Sequence, residues 1–147
     1  MLVREVMRTE PVTVRADALV EEALDLLDGS SESVMPVVSA GGVIVGAVSQ
    51  TDLIREVARP DVRDDLVPAQ AGHPVLPPRT VVEVMDHRTV TVREDSELAE
   101  VADLVTGSAH PSVPVIDEHH HVVGLLDPRE VTRLLGEGAD AGAPPAR

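Results

Sequence analysis

The sequence predicts an α+β protein made of two copies of one β-α-β-β-α unit. Three observations carry that expectation. The chain aligns with itself at a shift of 78 positions, each copy alternates short β-rich runs with segments of helical period, and a stretch rich in proline and charge separates the copies. With 147 residues, the chain is long enough for one ordinary domain or for two small modules that share a core.

The shift pairs "VREVM" (Val3 to Met7) with "VVEVM" (Val81 to Met85) and "PVTVRAD" (Pro11 to Asp17) with "TVTVRED" (Thr89 to Asp95). It also pairs "DLLDGSS" (Asp25 to Ser31) with "DLVTGSA" (Asp103 to Ala109), Pro36-Val37 with Pro114-Val115, Val45-Gly46 with Val123-Gly124, and Arg55 with Arg133. The copies span 1–57 and 81–135, with a linker over 58–80 and a tail over 136–147.

Within the first copy, "VTV" reads as a short strand. Asp17 is placed to cap a helix whose apolar residues Leu19, Ala23, Leu24, Leu26 and Leu27 fall on one face, and Gly29 stops it. "VMPVV" (Val34 to Val38) and "VIVGAVS" (Val43 to Ser49) are β-rich runs joined by "SAGG", which is hairpin chemistry. A second helix starts near Thr51 and runs to about Ala58. The second copy repeats this order, with "DEHHH" in place of the glycine turn and Pro128 in the first turn of its last helix, where a missing N–H costs little. The linker suggests a helical turn near Val62 to Val67, and the tail "GEGADAGAPPAR", with almost nothing to bury, is expected to be disordered.

Composition removes several function classes. The chain has no cysteine, which excludes disulfides, thiolate metal sites and cysteine nucleophiles. With 26 acidic residues against 12 basic ones the net charge is −14, which repels nucleic acid and anionic membrane over most of the surface. No apolar run approaches the ~18 residues needed to cross a bilayer and no signal segment opens the chain, so a soluble, cytoplasmic protein is expected. Without Phe, Tyr or Trp the core must be filled by Val, Leu, Ile, Ala and Met, and a flat ligand would lie between aliphatic side chains.

The opening "V-x-x-V-M", the "V-T-V-x-x-D" strand, the apolar-Pro-Val-apolar strand and the "S-x-x-D" entry to the last helix together resemble the cystathionine β-synthase (CBS) domain pair, or Bateman module, over about Val3 to Leu135. The resemblance implies two repeats packed about a pseudo-twofold axis, association into a disc of four repeats, and clefts that take adenosine-containing ligands such as AMP, ADP, ATP or S-adenosylmethionine. It implies a cleft containing Ala47, Ser49 and Asp52 of the first repeat with Val90, His110, Pro111 and Ser112 of the second. The other cleft would contain Leu125, Asp127 and Glu130 with Val12, Glu32, Ser33 and Val34.

The two implied clefts differ in chemistry. An aspartate at a helix start accepts both ribose hydroxyls, and a serine hydroxyl with the helix's free N–H groups binds a phosphate oxygen, so Ser49 and Asp52 suit a nucleotide. In the second cleft a phosphate meets Asp127, Glu32 and Glu130, and two like charges ~4 Å apart cost roughly 4 kcal/mol at an effective dielectric of 20. That cleft is expected to be empty of phosphate. The alternative for Ser49 and Asp52 is helix capping with no ligand. Neither Pro111 nor Ser112 brings a positive charge, which leaves His110 or an arginine of a partner chain to supply it.

The run His119 to His121 sits in a hairpin and reads as a solvated turn rather than a metal site, while His73 and His87 read as surface residues. Met7 and Met85 recur at equivalent places and read as core filling or pocket wall. No nucleophile, base and acid recur in a shared arrangement and no phosphate loop of the "GxxxxGK" kind is present, so an enzyme is not expected. The expected function is a stand-alone regulatory sensor that binds an adenosyl ligand and signals through a partner protein. The alternative is a ligand-independent dimerisation module. A homodimer is expected through helix faces carrying Leu19, Leu26, Leu98 and Val105.

Overall fold

The computed structural model describes residues 1–30, 32–58, 79–108 and 110–142, with 137–142 described by their backbone alone. The expected helical turn near Val62 to Val67 lies outside the described residues. The first repeat supplies β2 (Val14–Arg15), α1 (Val20–Asp28), β3 (Val34–Val38), β4 (Ile44–Ser49) and α2 (Gln50–Ala58). The second supplies β5 (Val92–Arg93), α3 (Leu98–Thr106), β6 (Val113–Ile116), β7 (Val122–Leu126) and α4 (Pro128–Gly142). Each is preceded by a short 3-10 turn, at Val3–Glu5 and Val81–Glu83, and the first of these leads into a two-residue strand, β1 (Arg8–Thr9).

The strands form two sheets, one ordered β2-β3-β4 and the other β1-β7-β6-β5. In each sheet a parallel pair (β2 with β3, β5 with β6) adjoins an antiparallel hairpin. β3 and β6 are buried at every position, as expected of a strand covered on both faces. Both carry a proline, Pro36 and Pro114, and both prolines sit just before the parallel ladder begins at Val37 and Val115, so no rung of that ladder needs their missing N–H. In the first hairpin Gly42 adopts φ 86°, a conformation that glycine reaches without a Cβ penalty.

The opening segments are exchanged between the repeats. β1 lies in the opening segment of the first repeat but pairs with β7 of the second, with Arg8 opposite Leu125 and Thr9 opposite Gly124. Asp86 lies in the opening segment of the second repeat but bridges Ala47 of the first. Val3 is accordingly in the core of the second repeat with Leu98, Val105, Val113 and Leu126, while Val81 and Met85 are in the core of the first with Leu27, Met35, Val48 and Leu53. Glycine makes the close crossings possible, since a Cβ on Gly46 would stand 2.6 Å from the Asp86 carbonyl oxygen and one on Gly124 would stand 2.6 Å from Met7 Sδ and 2.8 Å from the Arg8 carbonyl oxygen. Met7 and Met85 therefore fill space against the other repeat.

Four details differ from the sequence expectation. Asp17 does not cap α1, because its carboxylate takes Arg15 at 2.7 Å and Leu19 occupies the N-cap position with no side-chain bond. Val20, Ala23 and Leu27 form the buried face of α1, and Leu26 is exposed. Leu98 and Val105 belong to the core rather than to an outer helix face. Finally, the backbone of α4 is helical to Gly142, inside the 136–147 stretch expected to be disordered, because extending an existing helix adds one hydrogen bond for each residue fixed. Residues 143–147 lie outside the described set.

Candidate functional site

The hydroxyl of Ser49 accepts the Asp52 N–H at 3.0 Å, and Asp127 Oδ1 accepts the Arg129 N–H at 2.8 Å. At equivalent places in the two repeats, serine and aspartate thus do the same work at the start of the last helix. Capping explains why one copy can keep a hydroxyl where the other has an acid. It also changes the donor inventory of the first cleft. Of the opening N–H groups of α2, that of Asp52 is held by Ser49 and that of Gln50 by the Ser33 carbonyl at 2.8 Å. The Asp52 carboxylate is itself half-buried and stands 3.6 Å from Arg55.

The exchanged segment brings a residue that the sequence reading missed, Asp86, against two of the residues expected in the first cleft, Ala47 and His110. Asp86 pairs with Ala47 through both backbone groups, at 3.0 and 2.8 Å, and its Oδ2 stands 3.2 Å from His110 Nε2. Asp86 therefore joins Ala47, buried on β4, to His110, which precedes β6. Ser49 lies two residues beyond Ala47 and so on the same face of the strand. The Arg88 N–H, donated to Asp86 Oδ1 at 2.9 Å, holds this carboxyl below its ordinary value, and the hydrogen bond with His110 acts in the same direction. Val90 is half-buried against the second core, and Pro111 is exposed.

The second repeat has an arginine and an acid at the corresponding positions. Arg8 stands where the first cleft has Asp86, and Glu32 stands where it has His110; the two form an ion pair. The hydrogen bond to Glu32 raises the Arg8 guanidinium above its ordinary value against the cost of burial, and the charges of Glu32 and Asp127 add to the rise. A cleft expected to present only acids thus contains an arginine of this same chain. Glu130 is held by Arg133 at 3.0 and 2.5 Å. Ser112, assigned to the first cleft, is buried and donates to Glu32 Oε2 of the second at 3.4 Å, so the two sets meet at this bond.

At the hairpin tips, Asp117 Oδ1 accepts the N–H groups of His119 and His121, at 2.8 and 2.9 Å, and thereby organises the histidine run as a turn. His121 bridges Val43 of the other hairpin. A shallow depression of about 350 Å³ lies beside this junction, lined by Thr13, Gly42 and His121 among others, and it includes neither Ser49 nor Asp52. Among the described residues no group of three or more His, Asp or Glu side chains is arranged to hold a metal ion.

The CBS domain model matches the chain twice, over residues 3–59 and 81–137. The chain belongs to the CBS domain family. Its fold is shared with the CBS-pair protein CBSX2 from Arabidopsis thaliana, at 23% identity and a TM-score of 0.70, with 97% of this chain and 98% of that one covered. It is likewise similar to the CBS domain pair of protein MJ0100 in complex with 5′-methylthioadenosine and S-adenosyl-L-methionine, at 23% identity and a TM-score of 0.69, covering 94% and 98% of the two chains. A structure of CBSX2 in complex with AMP matches at 23% identity and a TM-score of 0.69, covering 92% and 96%. A curated relative, the L-aspartate semialdehyde sulfurtransferase of Methanocaldococcus jannaschii, is 24% identical over 92% of this chain but only 23% of its own length. The homoserine O-acetyltransferase of Methanocorpusculum labreanum is 27% identical over 86% of this chain and 22% of its own. The chain thus spans about a quarter of the curated relatives it matches.

Proposed function

We propose that the chain is a regulatory sensor module that binds an adenosyl ligand in the cleft of Ala47, Ser49, Asp52, Val90, His110, Pro111 and Ser112, and passes its occupancy to a partner protein. The observation that carries this reading is the exchanged segment. It ties β4 of the first repeat to the pre-strand segment of the second through Asp86, so a ligand seated there touches both repeats at once. Solved CBS pairs with AMP, and with 5′-methylthioadenosine and S-adenosylmethionine, support the ligand class. In this reading Asp52 accepts the ribose hydroxyls, exchanging its exposed contact with Arg55 for two hydroxyl donors. The curated relatives are enzymes of which this chain matches only a part, and no catalytic role is assigned to it. Thermal melts test the reading: a ligand at about 100 times its dissociation constant stabilises the native state by about 2.7 kcal/mol. At least one of adenosine, 5′-methylthioadenosine, S-adenosylmethionine, AMP, ADP and ATP is expected to raise the midpoint, and no shift with any of them at millimolar concentration would reject the sensor reading.

A second reading, dimerisation without a ligand, is favoured by a specific observation. Leu26 on α1, Ile54 and Val57 on α2, and Leu104 on α3 are exposed apolar side chains on the outer helices. A homodimer through these helix faces is compatible with either reading and is part of both.

A further inference from the structure

Resting on the reading of the first cleft as the adenosyl site, we propose that Asp86 makes this site select adenosyl ligands that carry no net negative charge, namely nucleosides and sulfonium-bearing adenosyl compounds, over nucleotides.

The cleft presents two carboxylates, Asp52 and Asp86. Asp86 is fixed between Ala47 of the first repeat and His110 of the second by its backbone pairing to Ala47 and by its side-chain contacts to the Arg88 N–H and His110 Nε2, and its side chain is 42% exposed. A phosphate near Ser49 would approach this carboxylate, and like charges at such separations repel even through water. Two of the donors that ordinarily offset such repulsion, the Gln50 and Asp52 N–H groups of α2, already have partners within the chain. Of the nearby basic groups, Arg55 faces Asp52 with its side chain 74% exposed, and His110 is already engaged with Asp86 at 3.2 Å. A neutral 5′ substituent avoids the repulsion, and a sulfonium converts it to attraction. The same position in the second repeat is Arg8, so the fold accommodates either sign of charge there and the choice falls on the ligand.

Calorimetric titration of the full chain with adenosine, 5′-methylthioadenosine, S-adenosylmethionine, AMP and ATP reads this selection. The unaltered protein is expected to bind the first three compounds about tenfold or more tightly than AMP and ATP. Asp86→Asn, which keeps an acceptor for the Arg88 N–H, is expected to narrow that gap, and Asp86→Arg to reverse it in favour of AMP. Tighter binding of AMP or ATP by the unaltered protein overturns the inference while leaving the cleft reading intact, as does a preference that neither variant changes. Binding of none of the five rejects the cleft reading and the inference with it.

Discussion

Ser49 and Asp127 show what one atom at a helix start is worth. Each accepts a backbone N–H of the helix that follows, so Ser49→Ala is expected to lower stability by about 1 kcal/mol in urea denaturation, while Ser49→Asp, which installs the side chain used by the second repeat, is expected to be nearly neutral. If Ser49→Ala leaves the urea midpoint unchanged, the hydroxyl is not the cap. Asp52 is different, because its carboxylate stands 3.6 Å from the largely exposed Arg55, and such surface pairs contribute roughly 0–1 kcal/mol. Asp52→Ala is expected to abolish adenosyl binding and to leave the ligand-free melt nearly unchanged; a large fall in that melt would make Asp52 a structural residue. The sequence could not separate these roles, because capping and ligand binding call for the same short polar residues at the same helix start. Asp17 failed as a cap for a related reason: Arg15, two residues away, competes for its carboxylate.

The decisive elements are the two opening segments that cross between repeats, and they were the least legible. The repeat, the hairpins and the helices could be read from local patterns, whereas β1 consists of two exposed residues whose partner strand lies far along the chain. A faint trace existed in the matched methionines Met7 and Met85 and the matched glycines Gly46 and Gly124, which meet each other across the repeats. Gly46→Ala and Gly124→Ala are each expected to cost about 1–3 kcal/mol in denaturant unfolding, by pushing the crossing backbone away, and full tolerance of both would contradict the close approach. Hydrogen bonds also hold several carboxyls below their ordinary values: Thr80 holds Glu83, the Arg88 N–H holds Asp86, the His121 N–H holds Asp117, and Arg133 holds Glu130. Because these groups bind protons less readily in the folded than in the unfolded chain, their stabilisation is complete above the unfolded carboxylate values, near about pH 4, and is lost as pH falls through the depressed folded values. Melting midpoints are therefore expected to fall on acidification through this range, less so in Asp117→Asn, and a midpoint indifferent to acid would contradict the assignment.

For the whole molecule, two compact repeats with exchanged openings leave apolar side chains on their outer helices, and the proposed homodimer of a chain of net charge −14 is expected to form where apolar contact outweighs repulsion. Ile54→Lys combined with Leu104→Lys is expected to halve the mass in light scattering, and an unchanged mass would move the interface elsewhere. The first cleft is proposed to take one adenosyl ligand per chain. Equilibrium dialysis against 5′-methylthioadenosine tests it most directly, because a chain without Phe, Tyr or Trp scarcely absorbs where adenine absorbs strongly, so the ultraviolet spectrum counts the ligand itself. Saturation at one adenine per chain, lost in Asp52→Ala, is expected. Two equivalent adenines per chain, none at all, or one that survives Asp52→Ala would contradict it.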